Sequence, residues 1–202
     1  GCLENMTKHI DFWFSLGSTY TYLSSMRCSE LCSTNDVHIR WRPFDLKSIL
    51  EELSGLPFLE GSPKTRYMWH DLARKSSKLG LKPILPAPYP NPQAHLANRI
   101  ARIGLDQDWG VDFIQAYYRK WFETKHTGMK ETDVAQCLEG IGREAHDTIE
   151  IAKKPEIVRV LEAETDEARM LGIFGAPTFA VGSELFWGDD RLEDAIEHYK
   201  KQ

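Results

Sequence analysis

Apolar and polar positions alternate at the start of the chain. Ile10, Phe12 and Phe14 fall on one face at period two, with Asp11 and Trp13 between them. That pattern predicts a strand, and Trp13 on the second face implies burial on both sides. The run stops at Ser15-Leu16-Gly17-Ser18, after which Tyr20, Leu23 and Met26 recur at helical spacing. Ser18 thereby falls at the helix start, a position that favours its residue type as an N-cap. Val37 to Trp41 alternates again and ends at Pro43, a second strand. Strand, helix and strand in such close succession predict a βαβ unit with parallel strands.

The middle of the chain follows helical periodicity. Met68, Leu72, Lys75 and Leu79 share a side of 64–79, which Gly80 terminates. Pro83, Pro86, Pro88, Pro90 and Pro92 are half of the chain's 10 prolines and predict an ordered, extended connector. Helices are expected at 94–103, closed by Gly104, and at 132–141. Trp109, Phe113, Tyr117 and Trp121 repeat every fourth residue, a stripe suited to core packing and secondarily to an aromatic ligand wall. A longer amphipathic helix carries Ile157, Val160, Leu161, Ala168 and Leu171 and starts near Pro155, where an N-terminal proline is tolerated.

Strand patterning returns after Gly172. Thr178–Val181 and Glu184–Trp187 flank Gly182-Ser183, which predicts a β-hairpin. A last helix opens at Gly188-Asp189-Asp190, with Glu193 at capping-box distance from Asp190. The order β-α-β, helices, β-β-α predicts an α/β protein, a thioredoxin-like fold with a large all-helical insertion. Residues 8–46 and 172–202 would form the thioredoxin-like domain, and 47–171 the insertion.

Composition narrows the function. The chain has 202 residues, 42% hydrophobic and 27% charged, an ordinary globular balance. A net charge of −5 without a basic stripe argues against a nucleic-acid partner. No apolar run approaches the ~18–20 residues of a membrane span, and Gly1–His9 lack a secretion signal. The 4 cysteines, at 2, 28, 32 and 137, form no Cys-x-x-Cys, so neither a zinc site nor a dithiol motif is expected. Cys28 and Cys32 share a helix face and read as small buried side chains in a reducing, cytoplasmic setting.

Three corners carry candidate chemistry. Thioredoxin-like redox proteins place Cys-x-x-Cys where the first helix begins, because amide N–H groups and the helix dipole stabilise a thiolate. Here that corner reads Ser18-Thr19-Tyr20-Thr21, which excludes disulfide exchange but keeps the anion-stabilising geometry. It suits a thiolate brought by a ligand, with the Ser18 hydroxyl donating to the sulfur; simple N-capping is the plainer alternative. Second, Ala176-Pro177 precedes a strand. A cis bond there would offer the Ala176 backbone to a peptide-like ligand, whereas a trans bond would be a plain loop proline. Third, Gly188-Asp189-Asp190 opens a helix, where free N–H groups attract a carboxylate and the aspartates accept from an ammonium. Helix capping by either aspartate is the alternative.

The segments Asp11-Phe12-Trp13-Phe14 to Ser18-Thr19-Tyr20-Thr21-Tyr22-Leu23, Arg40-Trp41-Arg42-Pro43-Phe44, Ala163 to Ala168, Gly172 to Phe179 and Glu184 to Leu192 resemble 2-hydroxychromene-2-carboxylate isomerases and kappa-class glutathione transferases. The resemblance runs from about residue 8 to 200 and is most specific in the C-terminal block. It implies a thioredoxin fold with a helical insertion, glutathione as cofactor, and a homodimer. It places the thiol-activating serine on Ser18. It places glutathione-binding positions on Ala176, Trp187, Gly188, Asp189 and Asp190, and a substrate-side tyrosine on Tyr89. Lys64 lies near a basic position common in the family. Leu56 stands where members often carry a ligand-touching Asn, a departure that bears on the substrate.

By this resemblance the chain is a glutathione-dependent isomerase acting in aromatic-compound catabolism, in which the thiolate adds reversibly to an unsaturated aromatic acid. Trp13, Tyr89 and Trp121 are candidates for the apolar wall, and Arg40 with Arg42 for a local basic patch. A kappa-like transferase conjugating electrophiles and a non-catalytic peptide- or thiol-binding module are the alternatives.

Overall fold

In the computed structural model of the protein, residues 8–53 and 55–202 are described. The leader reading, which turns on residues 1–7, and the positions Cys2 and Ser54 lie outside them. The expected βαβ unit is present. β1 (Ile10–Phe14) and β2 (Ile39–Pro43) run parallel, joined by α1 (Thr21–Thr34), with Ile10 opposite Ile39 and Phe14 opposite Pro43. β3 (Thr178–Val181) lies antiparallel to β1 and pairs with β4 (Glu184–Trp187), giving a sheet of order β2-β1-β3-β4. Gly182 turns the hairpin at a φ of 59°, a left-handed backbone that glycine adopts without steric cost.

Between β2 and β3 come α2 (Leu46–Leu53), α3 (Pro63–Lys78), α4 (Ala94–Leu105), α5 (Gly110–Glu123), α6 (Glu131–Gly140), α7 (Ala145–Ala152) and α8 (Pro155–Met170). Pro63 and Pro155 both occupy first-turn positions, and the Ser62 hydroxyl accepts from the Thr65 N–H. The two 8-residue helices α2 and α7 were not legible as periodic runs. The proline-rich connector holds neither helix nor strand and bends at cis bonds before Pro86 and Pro90. A 3₁₀ turn (Asp189–Arg191) leads into α9 (Leu192–Lys200). The expected capping box does not form. α9 has no side-chain cap, because the Glu193 carboxylate is drawn to Arg27 of α1 instead.

Both faces of the sheet are covered. On one, Phe12 stacks on Phe179 at 5.1 Å, and a continuous core runs through Tyr22 and Leu23 into Ile100, Phe113, Trp121 and Leu138 of the helical block. On the other, Trp13 packs with Phe44, Ile49, Ala168 and Ile173. Trp13 and Trp121 thus belong to the core and not to a ligand wall: both are fully buried, and Trp121 Nε1 donates to the Pro88 carbonyl at 2.7 Å.

Candidate functional site

The turn after β1 is tight. Phe44 N–H donates to the Phe14 carbonyl, and Ser18 N–H closes the turn onto the Ser15 carbonyl at 3.0 Å. Gly17 passes so close to α4 that a Cβ would stand 3.1 Å from Ala94 Cβ. The Ser18 hydroxyl then has two partners. It accepts from the Thr21 N–H at 3.3 Å and donates to the Ala176 carbonyl at 2.8 Å. The bond before Pro177 is cis. Ser18 is thus a cap for the entry to α1 and also a bridge to Ala176. Among the described residues, no acceptor engages the N–H groups of Thr19, Tyr20 or Ala176.

The third corner joins the same place. Gly188 N–H donates to the Pro177 carbonyl at 2.9 Å. Gly188 has a φ of 114°, and a Cβ there would meet Asp190 Oδ1 at 2.6 Å. Gly175 allows a similar approach: its Cβ would stand 2.3 Å from Trp187 Nε1. The Trp187 indole stays half-exposed, edge-on to Phe174 at 5.0 Å.

The two aspartates differ. Asp189 is buried, and its Oδ1 accepts from Ser24 Oγ at 2.7 Å and from Arg27 Nε at 3.0 Å. Arg27 Nη2 also donates to the Asp189 carbonyl at 2.6 Å. The Asp189 side chain therefore anchors the turn to α1. Asp190 lies close enough to Tyr20 for its charge to help hold that phenol protonated. Burial is the main cause of that upward shift, followed by the hydrogen bond Tyr20 donates to Asp71 at 2.8 Å.

Tyr89 reaches the corner through aromatic neighbours. Its ring meets Phe58 and Trp69 edge-on, each at 6.3 Å, and Phe58 lies 6.4 Å from Tyr20. Burial raises the Tyr89 phenol. Lys64 Nζ sits 5.3 Å from the Phe58 ring centroid. Leu56, in the same loop as Phe58, is partly exposed. The structure thus groups Ser18, Ala176, Gly188 and Asp190 at one corner, with Trp187 at its lip and Tyr89 along an adjoining aromatic wall.

Sequence reasoning did not single out Ser24, Arg27, Asp71, Phe58 or Trp69. The i, i+3 spacing of Ser24 and Arg27 on α1 was the available signal.

Arg40 and Arg42 do not form a free basic patch. They line a separate cavity of about 730 Å³ with Trp41, Arg102, Glu164 and Glu167, and none of the predicted site residues borders it. Arg40 pairs with Asp11 at 2.6 Å, and Arg42 pairs with Glu164 and Glu167. Its charges are therefore already balanced.

Residues 9–200 match the family described as a DSBA-like thioredoxin domain. The chain belongs to that family. Within it, the chain is 29% identical over 196 residues to a 2-hydroxychromene-2-carboxylate isomerase of Sphingobium xenophagum, covering 96% of this chain and 98% of the relative. It is 23% identical over 205 residues to glutathione S-transferase kappa 2 of Caenorhabditis elegans, covering 94% and 91%. A solved 2-hydroxychromene-2-carboxylate isomerase superposes with a TM-score of 0.80 at 22% identity, covering 95% of this chain and 94% of that one. That likeness carries the DsbA-like fold, with its mixed four-stranded sheet, to this chain. No described helix is long and apolar enough to cross a membrane, and no described cluster of His, Cys, Asp and Glu suits a metal.

Proposed function

We propose that the protein is a glutathione-dependent isomerase of the 2-hydroxychromene-2-carboxylate isomerase type, acting as a cytoplasmic homodimer on a small unsaturated aromatic acid. The observation that carries this reading is the Ser18 hydroxyl, set between the Ala176 carbonyl and a helix start whose Thr19 and Tyr20 N–H groups find no acceptor among the described residues. Unfilled donors at such a corner suit an anion, and thiolate is the anion that a thiol-free thioredoxin corner is shaped for.

The residues present fit a γ-glutamyl peptide. Bound glutathione supplies a thiolate able to add reversibly to an unsaturated carbon. Ser18 donates to the sulfur, at the expense of its bond to Ala176. The Thr19 and Tyr20 N–H groups face the same charge and favour the ionised form. Ala176 offers its N–H to the peptide backbone of the ligand. The Asp189 and Asp190 N–H groups, at the start of the 3₁₀ turn, receive a carboxylate, and the Asp190 side chain accepts from an ammonium. Trp187 and Gly188 shape that end, while Tyr89, with Phe58 and Trp69, provides an apolar wall for the substrate ring.

The test is a calorimetric glutathione titration of wild type and Ser18→Ala, with turnover of 2-hydroxychromene-2-carboxylate followed in parallel. A hydrogen bond to a charged group contributes about 1.5–3 kcal/mol, so Ser18→Ala should lose about tenfold or more in turnover and raise the bound thiol's pKa. Activity within twofold of wild type removes Ser18 from the mechanism. No binding at millimolar glutathione removes the isomerase reading and favours the peptide- or thiol-binding module. The kappa-named relative supports a second reading, conjugation. Steady glutathione consumption with chlorodinitrobenzene identifies a transferase; substrate turnover at constant glutathione identifies an isomerase.

A further inference from the structure

The turn that carries Ser18 is buried: Ser15, Leu16, Ser18 and Thr19 are each less than a tenth exposed. Buried backbone groups need partners, and here the helical block supplies them. Asn98 of α4 accepts from the Leu16 N–H at 2.8 Å and points its amide hydrogens at Ser15 Oγ (3.2 Å) and the Phe44 carbonyl (3.3 Å). Tyr118 of α5 donates to the Ser18 carbonyl at 2.7 Å, with the Ser15 carbonyl at 3.1 Å sharing the same proton.

We propose that Tyr118 and Asn98 are positioning residues that clamp the Ser15–Ser18 turn from beneath and thereby aim the Ser18 hydroxyl and the Thr19 and Tyr20 N–H groups at the reacting sulfur. The proposal rests on the glutathione reading above. The two side chains take up the inward-facing groups of the turn, while the N–H groups of Thr19 and Tyr20 have no acceptor among the described residues. Packing alone does not call for the Tyr118 oxygen, since the ring stacks on Trp121 (5.7 Å) and Phe122 (5.9 Å) as a phenylalanine would. Burial holds the phenol well above its ordinary range, so it stays a donor throughout the working pH. A catalytic donor is only as useful as its supporting shell is rigid.

Tyr118→Phe deletes that one oxygen. We expect glutathione affinity within twofold of wild type, a raised pKa for the bound thiol, and kcat/KM about fivefold to tenfold lower near neutrality, recovering as pH rises. Amide exchange should quicken at Leu16 to Thr21 and nowhere else. Tyr117→Phe, on the same helix but without a bond to the turn, should change none of these. An unchanged pH profile in Tyr118→Phe overturns the proposal, as does acceleration of exchange spread over the whole protein. If wild type binds no glutathione, the functional reading fails by itself. Exchange confined to Leu16–Thr21 then still supports the clamp, and uniform exchange overturns it.

Discussion

Replacing Arg27 with Met should unfasten the two halves of the site. Arg27 holds Asp189 through Nε at 3.0 Å and through Nη2 to its carbonyl at 2.6 Å, and also pairs with Glu193. The Arg27 and Asp189 side chains are only 15% and 6% exposed, so the pair is largely out of water. Without the guanidinium, Asp189 retains Ser24 as its only side-chain donor among the described residues. Removing one partner of a buried pair costs about 3–5 kcal/mol. The Glu193 arm is solvent-exposed and adds little. We expect about 3 kcal/mol for Arg27→Met, which for a chain of this size lowers Tm by about 6–12 °C. Urea denaturation of wild type, Arg27→Met, Asp189→Asn and the double variant closes a cycle, and the coupling energy should be about 2 kcal/mol. A coupling below about 0.5 kcal/mol would show that the pair is effectively solvated and refute the argument. Because the same contact seats the Asp189–Arg191 turn, glutathione affinity should fall in Arg27→Met even at temperatures where the variant is folded.

Gly175→Ala should push the Trp187 indole off the cleft lip, since a Cβ would lie 2.3 Å from its Nε1; weaker glutathione binding with a near-normal Tm is expected, and unchanged binding would contradict it. Gly104→Ala meets Trp109 at 2.6 Å and the Gly110 backbone at 2.8 Å, so thermal melts should show a loss of about 1–3 kcal/mol. Burial pushes the Cys32 thiol up to about 11, Cys137 to about 12 and Cys28 upward as well, which depletes thiolate at neutral pH. Mass spectrometry after iodoacetamide treatment should therefore find these three unmodified at neutral pH until denaturant is added.

The sheet was legible because its strands are punctuated by residues with one local meaning. Gly182-Ser183 between two β-rich runs admits little besides a hairpin, and Ile10/Phe12/Phe14 against Trp13 does specify two covered faces. The 8-residue helices leave little periodic signal because each buries few apolar residues, and α2 buries only Ile49. Trp13 and Trp121 show that an aromatic side chain carries no label for core or cleft. Only the tertiary setting, Phe44 beneath one and the Pro88 carbonyl beside the other, decides it. Asp189 and Asp190 are adjacent and chemically alike, yet α1 claims one and leaves the other near Tyr20. Such a division depends on contacts 165 residues apart in the chain and leaves no local trace. Tyr118 and Asn98 were hidden for the same reason, as each looks like one more residue of an amphipathic helix.

The bond from Ser18 to Ala176 spans 158 positions of sequence. During synthesis the serine precedes its partner by the whole helical block. Until Ala176 has been made, the nascent chain carries a β1–β2 unit without β3 beside it and a serine without its carbonyl partner. Loop closure of this length is paid late, when β3 inserts beside β1. A ribosome stalled before Ala176 would therefore hold a chain with the serine but without its carbonyl partner.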